Sequence, residues 1–295
     1  MYAEIASNKR RSYFLIFLFL VLIIGLGWFF GYMSDFPEAG IILATIIATI
    51  MVLIGYFKGD SIALLTSGAK PIEKRDHPEL YRLVENLSIT AGLPCPKIYL
   101  IQDDAANAFA AGRKPETACI AVTTGLVQLM EKRELEAVIA HEMAHIKNYD
   151  ILVMTLVVVL VGTIVLFSDI MLRSFIYRGR RNSNGQAALA LFLIGIVLAG
   201  LSPLFAQLIK LAVSRSREYL ADASAALLTR YPEGLASALQ KIANQDKPLQ
   251  RANHATAHLF LANPFDPHVT KRFESLFSTH PPINDRIERL HKMGT

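Results

Sequence analysis

Charge and cysteine are both scarce in this chain of 295 residues: Asp, Glu, Lys and Arg make up 19% of it, against 53% apolar residues. Its two cysteines, Cys95 and Cys119, sit in unrelated contexts and form no C-x-x-C pair. That excludes a disulfide-built scaffold and a cysteine-type zinc cluster, and it fits a reducing compartment. A mean hydropathy of +0.36 excludes disorder, a collagen-like chain and an ordinary soluble domain. The missing charge is concentrated in four blocks, 12–34, 39–57, 151–168 and 182–209, none of which contains Asp, Glu, Lys or Arg. Each is close to the ~20 residues that cross the hydrocarbon of a bilayer. The expected fold class is therefore mainly α with a small β-sheet: a four-segment transmembrane helical protein with about half its mass in water.

The formal charge of +5 and the pI near 9.1 do not call for a nucleic-acid partner. Much of the basic excess (Lys9, Arg10, Arg11, Lys58, Arg180, Arg181) lies at segment ends, where it meets anionic headgroups. The first block follows Lys9-Arg10-Arg11 and is closed by Ser34-Asp35-Phe36-Pro37-Glu38, a loop with two acids and no base. The positive-inside rule then puts the N-terminus and everything from residue 58 onward in the cytoplasm. A cleaved signal peptide is the poorer reading, because the apolar run is long and no A-x-A-like site follows it promptly. The loop between blocks three and four breaks the rule with Arg173, Arg178, Arg180 and Arg181, so that hairpin either crosses regardless or lies shallow.

Four parts follow from this: a transmembrane hairpin at 12–57, a first water-soluble part at 58–150, a second hydrophobic hairpin at 151–211, and a second soluble part at 212–295. In the first soluble part, Pro78 to Ala91 has helical apolar spacing and Gly92-Leu93-Pro94 stops it. Pro96 to Ile101 and Ala118 to Val122 read as strands, with Asn107 to Ala110 as a shorter third. A final polar helix is expected from Asn284 to Lys292.

Residues 134–149 (ELEAVIAHEMAHIKNY) contain no Gly or Pro, and Leu135, Val138 and Ile139 recur at helical spacing. His141 and His145 then share a helix face, about 6 Å apart along the axis. Both imidazoles can reach one Zn²⁺ at about 2.0–2.1 Å, and Glu142 stands beside the ion's open position to take a proton from its water. This is the H-E-x-x-H arrangement of a metalloprotease. Zinc needs a third protein ligand, and Ser216 to Asp222 (SREYLAD) offers Glu218, with Asp222 one turn on to accept the ring N–H of a ligating histidine. The competing reading of that pair is a solvated acidic face near the bilayer. Residues 145 and 218 must end on the same side of the membrane for one ion, one per chain, to be shared.

HEMAH at 141–145, REYLAD at 217–222, ANAFA at 106–110 and STHPP at 278–282 resemble the HtpX family of bacterial membrane zinc endopeptidases, and the order of apolar segments matches nearly the whole chain. CAAX prenyl endopeptidases share the zinc motif but have more spans. The resemblance implies a gluzincin-type α+β protease domain facing the cytoplasm of a bacterial inner membrane. It also implies zinc ligands His141, His145 and Glu218, catalytic Glu142, and a role in degrading misfolded or damaged membrane proteins. Within it Asn107, Ala108 and Phe109 supply an edge strand above the zinc helix, with which an extended, unfolded substrate pairs through main-chain hydrogen bonds; otherwise the stretch is a buried loop.

His280 reads either as a second catalytic residue donating to the tetrahedral oxyanion or as an anchor for the C-terminal helix. His254 and His258 also stand four apart but lack an accompanying Glu, and read as a packed helix face. Two other classes compete with a protease. A transporter is disfavoured because the first two blocks hold no ionisable group within their core, and a silent membrane adaptor because all three ligand candidates and the base are present. Oligomeric state is not encoded in these patterns.

Overall fold

The computed structural model describes residues 2–33, 35–178, 215–245, 247–251, 256–262, 264 and 281–294. Two long helices open it, α1 (Tyr2–Met33) and α2 (Pro37–Thr66). Their apolar runs contain no internal proline, and the chain reverses at Asp35, whose φ is +62°, with Pro37 opening α2. The helices touch through small residues: a Cβ on Gly27 would stand 2.2 Å from that of Ala44, and one on Gly40 would stand 2.2 Å from the Gly27 carbonyl oxygen. Phe14, Phe17, Trp28, Ile42 and Leu43 are exposed on the outside of the pair, as a lipid-facing surface requires. Both helices, from Ile5 to Phe29 and from Pro37 to Thr66, are long and apolar enough to cross a membrane. Of the four expected segments these are the first two, and α2 continues beyond the apolar block that ends at 57. The third lies inside α6 (Asp150–Arg178); the fourth, 182–209, lies outside the described residues.

A small mixed sheet follows, in the order β1 (Lys70–Pro71), β2 (Lys97–Ile101), β4 (Cys119–Thr123), β3 (Ala108–Ala111). The first pair is antiparallel, β2 and β4 are parallel with Lys97 opposite Cys119, and β3 runs antiparallel to β4 with Ala108 opposite Val122. The expected short third strand is thus the sheet's edge. Period-two alternation divides the interior. Ile98, Ala108, Ala110, Ile120 and Val122 join a core with α3 (Pro78–Ala91) and the helices of the site; Phe109, Ala111, Cys119 and Ala121 face α1, α2 and α6.

After α4 (Thr124–Leu129), α5 (Lys132–Lys147) carries the two histidines. The helical run does not continue through 149 into the apolar block: the chain turns by 83° between α5 and α6, where Tyr149 adopts a φ of +61°. Four further elements matter for the site. Helix α7 (Arg215–Thr229) packs beside α5, α8 (Pro232–Ala243) and the C-terminal α9 (Ile283–Gly294) close the core around it, and a short 3-10 turn (Ala257–Leu259) leads a segment along the edge of β3.

Candidate metal centre

Helix α5 starts from a reciprocal cap, in which the Glu131 side chain takes the first-turn N–H of Glu134 while Glu134 takes that of Glu131. From this fixed start, His141 and His145 fall on one buried face, their rings 4.7 Å apart and nearly perpendicular. Their Nε2 atoms lie 3.1 Å from one another. Glu218, in the first turn of α7, brings one carboxylate oxygen to 3.8 Å from His141 Nε2 and the other to 3.5 Å from His145 Nε2. All three side chains are buried, and one ligand atom from each lies within 4.8 Å of the others.

The opposite edges of the rings are held by carboxylates. Asp222 Oδ1 lies 2.9 Å from His141 Nδ1, and Asp150 Oδ2 lies 3.0 Å from His145 Nδ1. A ring whose Nδ1 faces a carboxylate turns its Nε2 the other way, so both Nε2 atoms converge on the space in front of Glu218. Two such nitrogens beside a buried carboxylate favour a cation there. Two bonds of about 2.0–2.1 Å at the tetrahedral angle would set the nitrogens about 3.3 Å apart, so the observed spacing suits such an ion. Burial alone would lower the pKa of His145, but its hydrogen bond to Asp150 and the charges of Glu218 and Glu142 hold it up at about 9. The pocket thus attracts positive charge, whether proton or metal.

Glu142 is buried beside the histidines and accepts a hydrogen bond from the Ala110 backbone N–H of β3. Burial pushes its carboxyl above the ordinary glutamate range despite the pull of His141 and His145. Asp222 is pressed up by burial too, yet the Arg286 guanidinium and His141 hold it well below the usual carboxylate range. Arg286 makes a two-pronged contact with Asp222 at 2.7 and 2.9 Å and approaches Glu218 to 3.6 Å.

The edge-strand residues are placed less simply. Phe109 is fully buried and meets Phe260 edge-on, with ring centroids 5.2 Å apart. The Asn107 side chain donates to the Ala262 carbonyl, and its oxygen accepts from the Ala108 N–H and more weakly from that of Ala262. On the outward edge of β3 the Ala108 carbonyl accepts from Leu261 N–H at 3.0 Å, while the Ala110 N–H is given to Glu142. His280 and His254 lie outside the described residues. His258 is buried, its Nε2 3.0 Å from the Met154 carbonyl oxygen.

Two participants escaped the sequence reading. Asp150 had a signal, an acid directly before an apolar block and five residues beyond His145. Arg286 had another: it falls on the apolar stripe Ile283, Ile287, Leu290 of an otherwise polar helix, where a charge requires a buried partner.

Residues 74–294 match the profile of Peptidase family M48. Over 293 residues the chain is 44% identical to "Protease HtpX homolog" of Dictyoglomus turgidum, covering 99% of this chain and 95% of that protein. It is 45% identical over 294 residues to the protein of the same name from Tropheryma whipplei strain Twist, covering 100% of this chain and 99% of that one. Among solved structures, the fold resembles the crystal structure of S. mikatae Ste24p at a TM-score of 0.52 and 19% identity, covering 98% of this chain and 67% of that one.

Proposed function

The chain belongs to peptidase family M48 and is a membrane metallopeptidase, and from that premise we propose a zinc endopeptidase in which His141, His145 and Glu218 hold a single ion and Glu142 is the general base. The observation that carries the assignment is the convergence of three buried donors, from two helices, within 4.8 Å of one another. Two imidazoles and one carboxylate form a donor set suited to zinc with a fourth position left open. When bound, such an ion supplies Lewis acidity and a water acidified toward neutrality.

The remaining work belongs to the side chains. Asp222 and Asp150 hold the two rings as Nδ1–H tautomers with their Nε2 atoms aimed inward. Glu142, raised by burial, accepts the proton of the attacking water on a carboxylate oxygen and returns it to the leaving amine. The edge of β3 is the docking line for an extended polypeptide, which takes main-chain hydrogen bonds there and little sequence information. Because Leu261 already uses the Ala108 carbonyl, a substrate strand must displace it or bind beyond it, toward Ala110 and Glu142. His280 is the proposed oxyanion donor.

Main-chain recognition suits unfolded substrates, so the physiological role proposed is removal of misfolded or damaged membrane proteins under stress. The proposed arrangement is multi-pass in a bacterial inner membrane: hairpins at 12–57 and 151–211, and a protease domain built from 58–150 and 212–295 that faces the cytoplasm. Lys9, Arg10 and Arg11 before the first span and Lys58 after the second support that orientation.

The test uses the full chain in detergent with casein as substrate. Cleavage should be abolished by a chelator and restored by zinc. Glu142→Gln should retain stoichiometric zinc with turnover reduced by about 10²-fold or more; a Glu142→Gln protein that still cleaves at the unmodified rate would refute the base assignment.

A further inference from the structure

The start of α1 reaches the metal centre through a side chain that the reaction scheme does not use. Asn8 is completely buried although it lies only eight residues into the chain. Its amide nitrogen donates to Asp150 Oδ1 at 2.7 Å and to the Asn148 carbonyl at 2.8 Å. The other Asp150 oxygen is the one facing His145 Nδ1 at 3.0 Å. A continuous run of hydrogen bonds therefore joins the first membrane helix to the imidazole opposite His141 and Glu218.

The attachment point is the junction where α5 breaks and α6 begins. There Tyr149 adopts a φ of +61°, a conformation costly for a residue with a side chain unless its surroundings enforce it. Lys9, the neighbour of Asn8, sets its ammonium 4.9 Å from the centre of the Tyr149 ring. Two consecutive residues of α1 thus grip three consecutive residues of the junction, 148, 149 and 150. A neutral amide suits the task, since Asp150 also has Arg217 Nε 3.6 Å from the same oxygen. Asn8 adds a second donor without adding charge to a buried cluster.

We propose that Asn8 is a positioning residue of the metal centre: it fixes Asp150, which sets the tautomer and direction of the His145 ring, so that the grip on the ion depends on α1 being seated against the α5–α6 junction. This rests on the reading of His141, His145 and Glu218 as metal ligands.

Zinc affinity of the folded full-length protein in detergent, measured by competition with a chromophoric chelator, tests it. Asn8→Ala should weaken zinc binding about 10- to 100-fold, the range expected when support of a ligating histidine is lost. Asn8→Leu, which keeps the volume but not the donor, should do the same and serves if the alanine variant folds poorly. Ser12→Ala removes a buried hydroxyl one turn further along α1 that donates to the Asn8 carbonyl and makes no bond to Asp150 among the described residues, and should leave affinity unchanged. Since Asn8 acts through Asp150, the double variant Asn8→Ala/Asp150→Asn should bind no more weakly than Asp150→Asn alone. Affinity of Asn8→Ala and Asn8→Leu within twofold of the unmodified protein, or strictly multiplicative losses in the double variant, would overturn the proposal. Glu218→Ala separates the two levels: if it binds zinc normally, the ligand assignment fails, whereas if it loses zinc while the Asn8 variants do not, only the role of Asn8 fails.

Discussion

Arg286 is the largest side chain of the described residues to be wholly buried, and it stands against two of the carboxylates that organise the site, Asp222 and Glu218. Burying an arginine is tolerable only because its charge is matched, so removing it strands the acids rather than relieving them. Arg286→Met should destabilise the metal-free protein by about 3–5 kcal/mol, the cost of breaking a buried pair. Zinc restores positive charge beside Glu218, so the loss should shrink when unfolding is followed with saturating zinc in place of chelator. Arg286→Lys should fall in between, since an ammonium cannot make the forked contact with Asp222. An equal drop with and without zinc would show that Arg286 and the metal site are not electrostatically linked. At this scale the site was unevenly legible. His141, Glu142 and His145 share one helical turn, so their meeting follows from local geometry alone, whereas Glu218 needed a metal's demand for a third ligand to single it out. Asp150 reaches the site around the 83° bend that follows α5, and Arg286 from α9; their local signals mark a charge in need of a partner but do not say which partner.

Helix α5 is the element on which this geometry depends, and its first turn is held by Glu134. Buried there, Glu134 receives Ser237 Oγ, Lys241 Nζ and the Glu131 N–H, bonds that outweigh the upward push of burial and lower its pKa below the usual 4.5. A carboxyl with a depressed folded-state pKa stabilises above its unfolded value, and that contribution fades as pH falls through the folded value. Glu134→Gln should therefore cost about 1 kcal/mol at neutral pH, the difference between charged and neutral hydrogen bonds. The gap from the unmodified protein should narrow below the usual 4.5 and close in stronger acid. Chemical unfolding from pH 7 down to pH 3, on the order of the carboxylate range, checks this; a gap that stays constant would assign the effect to shape instead of charge. The end of α5 was harder to anticipate than its start. No Gly or Pro interrupts 134–149, so the pattern ran on into the apolar block, but the chain turns at Tyr149, where α1 contacts the junction through Asn8 and Lys9. No glycine or proline marks that boundary; Asn148 caps the helix and the contact from α1 meets it there. Strand order is equally non-local: the strands were visible as apolar runs, but nothing local says that β3 crosses over to become the edge beside β4.

Over the whole molecule the sheet is the divider, with one face on the helices of the metal centre and the other on α1, α2 and α6. The metal centre thus lies across the sheet from the α1–α2 hairpin and meets α1 through the Asn8 bond to Asp150. The membrane hairpin was legible because length and absence of charge are physical requirements of lipid and need no tertiary information; orientation rests on the basic residues flanking it. The two native cysteines provide a test of that orientation without any mutation. Cys95 is exposed on the loop after α3, whereas Cys119 is buried in β4, where burial pushes its thiol up to about 12. A membrane-impermeant maleimide added under non-denaturing conditions should therefore report Cys95 alone, since a buried, fully protonated thiol does not react. If the protease domain faces the cytoplasm, Cys95 should stay unlabelled in intact spheroplasts and become labelled in inverted membrane vesicles or after permeabilisation. Labelling in intact spheroplasts would place the domain on the outer side and reverse the topology. Labelling of Cys119 in the native protein would instead show that β4 opens, and with it the sheet that joins the metal centre to the membrane.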